Sequence, residues 1–258
     1  MRTFRNAAIA VLIVCADFVM FRRVGLTAGS GVVIFATMAA GLVWAAKEQS
    51  RATQRGLQNA VASIGFQPAE RDDVTLPVYP LRGDGWVEAA AHGELRGLEA
   101  WIFSYVIRLQ RNDPDPVFNI RQTVVAFRVE GANLPVFQIR PLQSSSIFDA
   151  DWKNYEGDWE NSDDTICFPD ALLFHRHYEL VSSAEEGVRR FFTAQLLDAV
   201  AALDDGACWV KGYNTTVLLF TPKRIVRPDE MEAFARKGAD IAYAIFSARK
   251  RVMAAIAK

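Results

Sequence analysis

The chain has three histidines, His92, His175 and His177, and they are the first residues to suggest chemistry. An imidazole titrates near neutral pH and is a common metal ligand. His175 and His177 lie two apart in FHRHYEL, so on a strand both would point to one face. Together with His92 they define a candidate polar site, to which Cys167 would add a sulfur ligand. The spacing matches no zinc pattern, and Phe174 and Tyr178 flank the pair. No metal is therefore expected, and no cofactor.

A second constellation is acidic and aromatic. Asp149, Asp151, Glu156, Asp158, Glu160, Asp163 and Asp164 alternate with Trp152, Tyr155 and Trp159. The carboxylates lack the spacing of a calcium loop, and acid–base use would need a defined separation between two of them. The stretch reads either as a solvated loop or, through Trp152, Tyr155 and Trp159, as a partner-binding surface, because aromatic anchors dominate binding energy at interfaces. No G-x-S-x-G elbow surrounds Ser144-Ser145-Ser146. Gly83-Asp84-Gly85 lacks the rest of a dinucleotide fingerprint, and there is no Walker A sequence. No catalytic residue is assigned, and the balance tips against an enzyme.

Composition narrows the classes further. Lys and Arg number 29 against 30 Asp and Glu, a net charge of -1. Nothing there attracts nucleic acid. Arg249-Lys250-Arg251 and Lys258 are the densest basic group; each would add about 1 kcal/mol of attraction near an anionic leaflet, or simply solvate a helix face. Cys15, Cys167 and Cys208 are too few for a disulfide framework and are expected as free, buried thiols in a reducing compartment.

The elements that must position these residues begin with an anchor. Residues 7–21 are apolar apart from Asp17, and residues 24–46 carry no charge. A spanning helix needs about 20 apolar residues. The second stretch meets that; the first is short and would need Arg5 and Arg22 to snorkel. The expectation is a transmembrane hairpin over 1–46, with Asp17 near enough to a segment end to reach interfacial water or Arg22. Arg2, Arg5, Lys47, Arg51 and Arg55 then outnumber Arg22 and Arg23 across the bilayer, which places the large domain in the cytoplasm. Cleavage of a signal peptide near Val14-Cys15-Ala16 would leave one span and the same placement. A single span over 24–46 with an interfacial first segment would export the domain instead.

Residues 47–65 read as a connecting helix with Leu57, Ala60, Val61 and Ile64 on one face. Gly65 suits a left-handed stop, with Phe66 folding back on Val61. Residues 66–258 read as one water-soluble α+β domain. Strands are expected at 86–95, 98–108, 120–130 and 134–140, joined as an antiparallel meander, with Pro135 marking an edge. Residues 98–108 are apolar on both parities, which suits a strand covered on both faces. Residues 71–85 read as a connector with an early short strand at most, 141–164 as a long polar loop, and 166–181 as one or two strands. Ser182 or Ser183 with Glu185-Glu186 predicts a capping box opening one helix through Leu203. Its stripe is Val188, Phe191, Phe192, Leu196, Val200 and Leu203. A hairpin over 208–220 and a helix opened by Pro228-Asp229-Glu230 complete the chain. The fold class is α+β: an antiparallel sheet packed by two long C-terminal helices.

The run from His92-Gly93 through RQTVVAFRVEGANLPVFQIRP, then HYEL and EEGVRRFF, resembles a loose class of bacterial membrane-anchored proteins of unknown function. The resemblance implies a short pair of N-terminal spans and an α+β domain, and it transfers no catalytic residue. The expected role is an interaction or regulatory domain at the cytoplasmic face of the inner membrane, with the bilayer and a protein as partners. The alternatives are a hydrolase or transferase acting on a membrane-associated substrate, or a lipid- or small-molecule-binding module using the sheet face near Trp101.

Overall fold

A computed structural model describes residues 51–70, 85–109, 118–142, 165–204 and 208–256, with Ala40, Gly41, Trp44, Glu48, Val74 and Gly206. The two apolar N-terminal segments fall almost wholly outside these residues. So do Asp17, the 75–84 connector and the acidic loop with Trp152, Tyr155 and Trp159. Among the described residues no helix is long and apolar enough to cross a membrane.

The compact unit that holds the sheet begins at Gly56. Helix α1 (51–61) runs into it, burying Leu57, Ala60 and Val61 in the main core. Its end is the stop expected from Gly65. That glycine sits at φ 80°, its N–H donates to Ala62 O at 3.2 Å, and the Phe66 N–H donates to Val61 O at 3.3 Å. These two bonds are the pair that defines a Schellman motif.

Among the described residues eight strands form one sheet: β1 (Gln67–Ala69), β2 (Gly85–Leu95), β3 (Leu98–Leu109), β4 (Phe118–Arg128), β5 (Leu134–Pro141), β6 (Tyr178–Val181), β7 (Trp209–Asn214) and β8 (Thr216–Phe220). Their order is β1-β2-β3-β4-β8-β7-β5-β6, and every pairing is antiparallel. Arg96 (φ 53°) and Gly97 (φ 72°) form the turn between β2 and β3. Both left-handed conformations match the twist of a two-residue hairpin. β3 is buried on both faces from Ala100 to Ile107, as its sequence implies.

The meander holds only from β1 to β4. The β7–β8 hairpin inserts beside β4, so β5 pairs with β7 and β6 instead. Pro135 therefore does not mark an edge. It lies in an internal strand, where the register shifts between Leu134 and Phe137. A bulge is the other setting in which a proline without an N–H is tolerated within a sheet. The only strand between 166 and 181 is β6, and its isolated bridge partner is Thr165. The early short strand, β1, precedes the 71–85 connector rather than lying in it.

Helices α2 (Phe174–His177), α3 (Glu185–Phe191), α4 (Ala194–Leu203) and α5 (Met231–Ile256) follow. The single helix expected over 182–203 is broken. Thr193 is extended (φ -120°, ψ 158°), and its side chain accepts a bond from Leu196 N as the N-cap of α4. The serine capping box does not form either. Ala184 is the N-cap of α3, while Ser182 Oγ donates to Val136 O and accepts from Ala184 N at 2.9 Å. The stripe survives the break, with Val188, Phe191, Phe192, Leu196 and Val200 buried and Leu203 exposed.

The helices share one face of the sheet. α5 packs on β3, β4 and β8, and its Met231, Ala235, Ile241, Ala242, Ile245 and Phe246 enter the main core. The opposite face carries a second cluster that includes Trp101, Phe103, Tyr105, Val124, Trp209 and Phe220. Burial on that face pushes the Tyr105 phenol up to about 12.

Candidate functional site

The structure does not bring the three histidines together. His92 lies on β2 and the other two on α2 beside β6, toward opposite ends of the sheet. His175 and His177 also do not share a strand face. They lie on a helical turn, where positions two apart point to nearly opposite sides.

His92 belongs to a surface group built by strand register. It pairs across β2–β3 with Trp101, and the two rings lie tilted by 35° with their centroids 4.7 Å apart. Its Nε2 lies 3.2 Å from Glu99 Oε1. Arg128 donates to both Glu99 oxygens, at 2.8 and 3.2 Å, and its guanidinium lies 5.1 Å from the Trp101 ring centroid. The indole is nearly covered, so the group is a set of paired charges lying over an aromatic platform.

A buried network gathers at the C-terminal end of α4. The Asp204 carboxylate follows α4 directly. Its Oδ1 accepts from Lys237 Nζ of α5 at 2.8 Å. Its Oδ2 accepts from the Tyr178 hydroxyl of β6 and from Cys208 N at 2.9 Å. Gly206, at φ 84°, donates its N–H to the same hydroxyl at 3.0 Å and lies against His177. Burial raises the Asp204 carboxyl, but Lys237, Tyr178 and the Cys208 N–H outweigh it and hold it at about 2. Burial and the facing Asp204 charge push the Cys208 thiol up to about 12 and lift the Tyr178 phenol above its usual range. The network thus holds one charged carboxylate, one ammonium and two protonated acids near neutral pH. Every group in it has a partner, which suits holding Gly206 and Cys208 to the end of α4 rather than moving protons.

No family model matches the chain, and no curated protein matches it. A similar solved chain is the crystal structure of the mycobacterial trehalose monomycolate transport factor A, TtfA. It is 14% identical, with a TM-score of 0.47, over 74% of this chain and 93% of that one. The superposition is too loose to transfer a role.

A third group surrounds His175. Its Nε2 lies 3.9 Å from Cys167 Sγ, 3.2 Å from Phe168 N and 3.1 Å from Phe168 O. Arg189 of α3 donates to Cys167 O at 3.0 Å and to Glu185 at 2.7 Å, with its guanidinium 5.5 Å from the Phe168 ring centroid. Cys167 is exposed and Cys208 buried, and both are free. The expectation of buried thiols therefore holds for Cys208 and fails for Cys167, which follows the bridge at Thr165 and turns outward while Ile166 enters the core. Among the described residues no group of three or more His, Cys, Asp and Glu side chains is arranged to hold a metal.

Asp204, Tyr178 and Lys237 carry no sequence signal as a set. Asp204-Asp205-Gly206 reads as an ordinary helix stop, and the three partners lie on separate elements. The Cys167–His175 pair was visible as two residue types eight positions apart, but only the turn at α2 brings them into contact.

Proposed function

We propose that this chain is an interaction or regulatory domain held at the cytoplasmic face of a bacterial inner membrane by its N-terminal apolar segment. The observation that carries the reading is the short sequence distance between a charge-free stretch and the first core residues of the folded unit. Residues 24–46 are free of charge, and shortly afterwards Leu57, Ala60 and Val61 are fixed in the core under a Schellman stop. So few intervening residues would tether the folded unit to whatever bilayer the segment enters. The excess of Lys and Arg on the domain side of the apolar segments supports the cytoplasmic placement. The partner surface we propose is the stretch bearing Trp152, Tyr155 and Trp159.

Crosslinking followed by purification from membranes tests the partner surface. The Trp152→Ala/Trp159→Ala double variant is expected to lose partners that the wild-type chain captures, and an unchanged partner list contradicts the surface. Alkaline phosphatase fused after Lys258 tests the orientation. It is expected to stay inactive, because that enzyme needs an oxidising compartment; activity there would place the domain outside.

A further inference from the structure

We propose that Cys167, His175 and Arg189 form a thiol-exchange site whose substrate is a small, solvent-borne disulfide. Three separate observations support it. The Cys167 side chain is on the surface, where a disulfide can reach it. The His175 Nε2 lies 3.9 Å from the sulfur. The Arg189 guanidinium donates to the Cys167 carbonyl at 3.0 Å and to Glu185 at 2.7 Å, which fixes the backbone that carries the thiol. A thiolate is the attacking species in exchange, so a base that can take the thiol proton has to lie near the sulfur.

The backbone beside the pair suits a moving proton. Nε2 lies 3.2 Å from Phe168 N and 3.1 Å from Phe168 O. A neutral ring with its proton on Nδ1 accepts the Phe168 N–H. After taking the thiol proton, Nε2–H donates to the Phe168 carbonyl. Nε2 has a backbone partner in both states, and the half-buried Phe168 N–H gives up its acceptor when the ring is protonated.

The step balances without any further reagent. The Cys167 Sγ–H proton passes to His175 Nε2. The thiolate attacks one sulfur of R–S–S–R, the Sγ–S bond forms and the S–S bond breaks. The departing RS⁻ takes the proton back from the imidazolium and leaves as RSH. Cys167 ends as a mixed disulfide, oxidised at the expense of the small disulfide, and a reducing thiol reverses it. Cys208 is an internal control, since its thiol is buried and faces Thr221 Oγ1 at 3.8 Å.

The test is to expose the full-length protein in detergent to oxidised glutathione at pH 7 and follow each cysteine-containing peptide by mass. Cys167 is expected to form the mixed disulfide at least about tenfold faster than the same cysteine in an unfolded peptide covering Ile166–Ala171, with Cys208 unreacted. His175→Gln should remove most of that advantage, and His177→Gln should leave it intact. Because His175→Gln also loses contacts to Phe168, its melting curve is recorded beside the rates. If that variant does not fold, the wild-type comparison with the peptide decides alone. A wild-type rate no greater than that of the peptide overturns the proposal. A folded His175→Gln protein that reacts as fast as wild type also overturns it.

Discussion

Asp204 is where one side chain holds most structure together, because its carboxylate joins β6, the Cys208 backbone and α5. Removing one member of a buried ion pair strands the other. Lys237 is partly exposed and keeps some solvent, so Asp204→Asn is expected to cost about 2 kcal/mol, read from chemical denaturation. The pH dependence follows from the same groups. The Asp204 carboxyl is held at about 2 against an ordinary 3.8, so its contribution is complete above that ordinary value. It is lost as pH falls toward the folded value, as for any depressed carboxyl. The Cys208 thiol is raised from 9.0 to about 12, so its contribution is present below 9.0 and is lost as pH rises above it. Stability is therefore expected to form a plateau between about pH 4 and pH 9, with Asp204→Asn flattening the acid limb. An unchanged acid limb in that variant would contradict the assignment. None of this was legible in the sequence. Residue types suggested the histidines, whose charge and chemistry are obvious, whereas Asp204, Tyr178 and Lys237 meet only once three elements have packed.

Local elements were far more legible, because each is fixed by neighbours in the chain. The Schellman stop at Gly65 and Phe66 and the doubly covered β3 both follow from short patterns. Two features did not. The helical stripe runs on through Phe192 and Thr193, so periodicity alone could not reveal that Thr193 becomes the cap of a new helix. Thr193→Ala should cost about 1 kcal/mol by removing the bond to Leu196 N. The insertion of β7–β8 between β4 and β5 is a long-range choice that alternation cannot encode. It brings Gly212 opposite Phe137, whose ring occupies the space a side chain at Gly212 would need and packs edge-on against Phe192 at 4.8 Å. Gly212→Ala is therefore expected to destabilise by about 2 kcal/mol through overpacking, with a lower melting temperature as the readout. A neutral substitution there would argue against this strand order.

At the scale of the whole molecule, the fold class was readable while the sheet order was not. The α+β class followed from strands and helices segregated along the chain, and an eight-stranded antiparallel sheet with its helices on one face agrees with it. The proposed role depends on the part of the chain where composition speaks most plainly, the charge-free residues 24–46 that precede α1. Burying such a segment in hydrocarbon is strongly favourable and is not reversed by salt or high pH. The most direct measurement is fractionation of cells expressing the full chain, followed by washing the membranes with alkaline carbonate. The account predicts that the protein stays in the pellet and is released only by detergent. Recovery in the soluble fraction, or release by carbonate, would contradict an anchored domain.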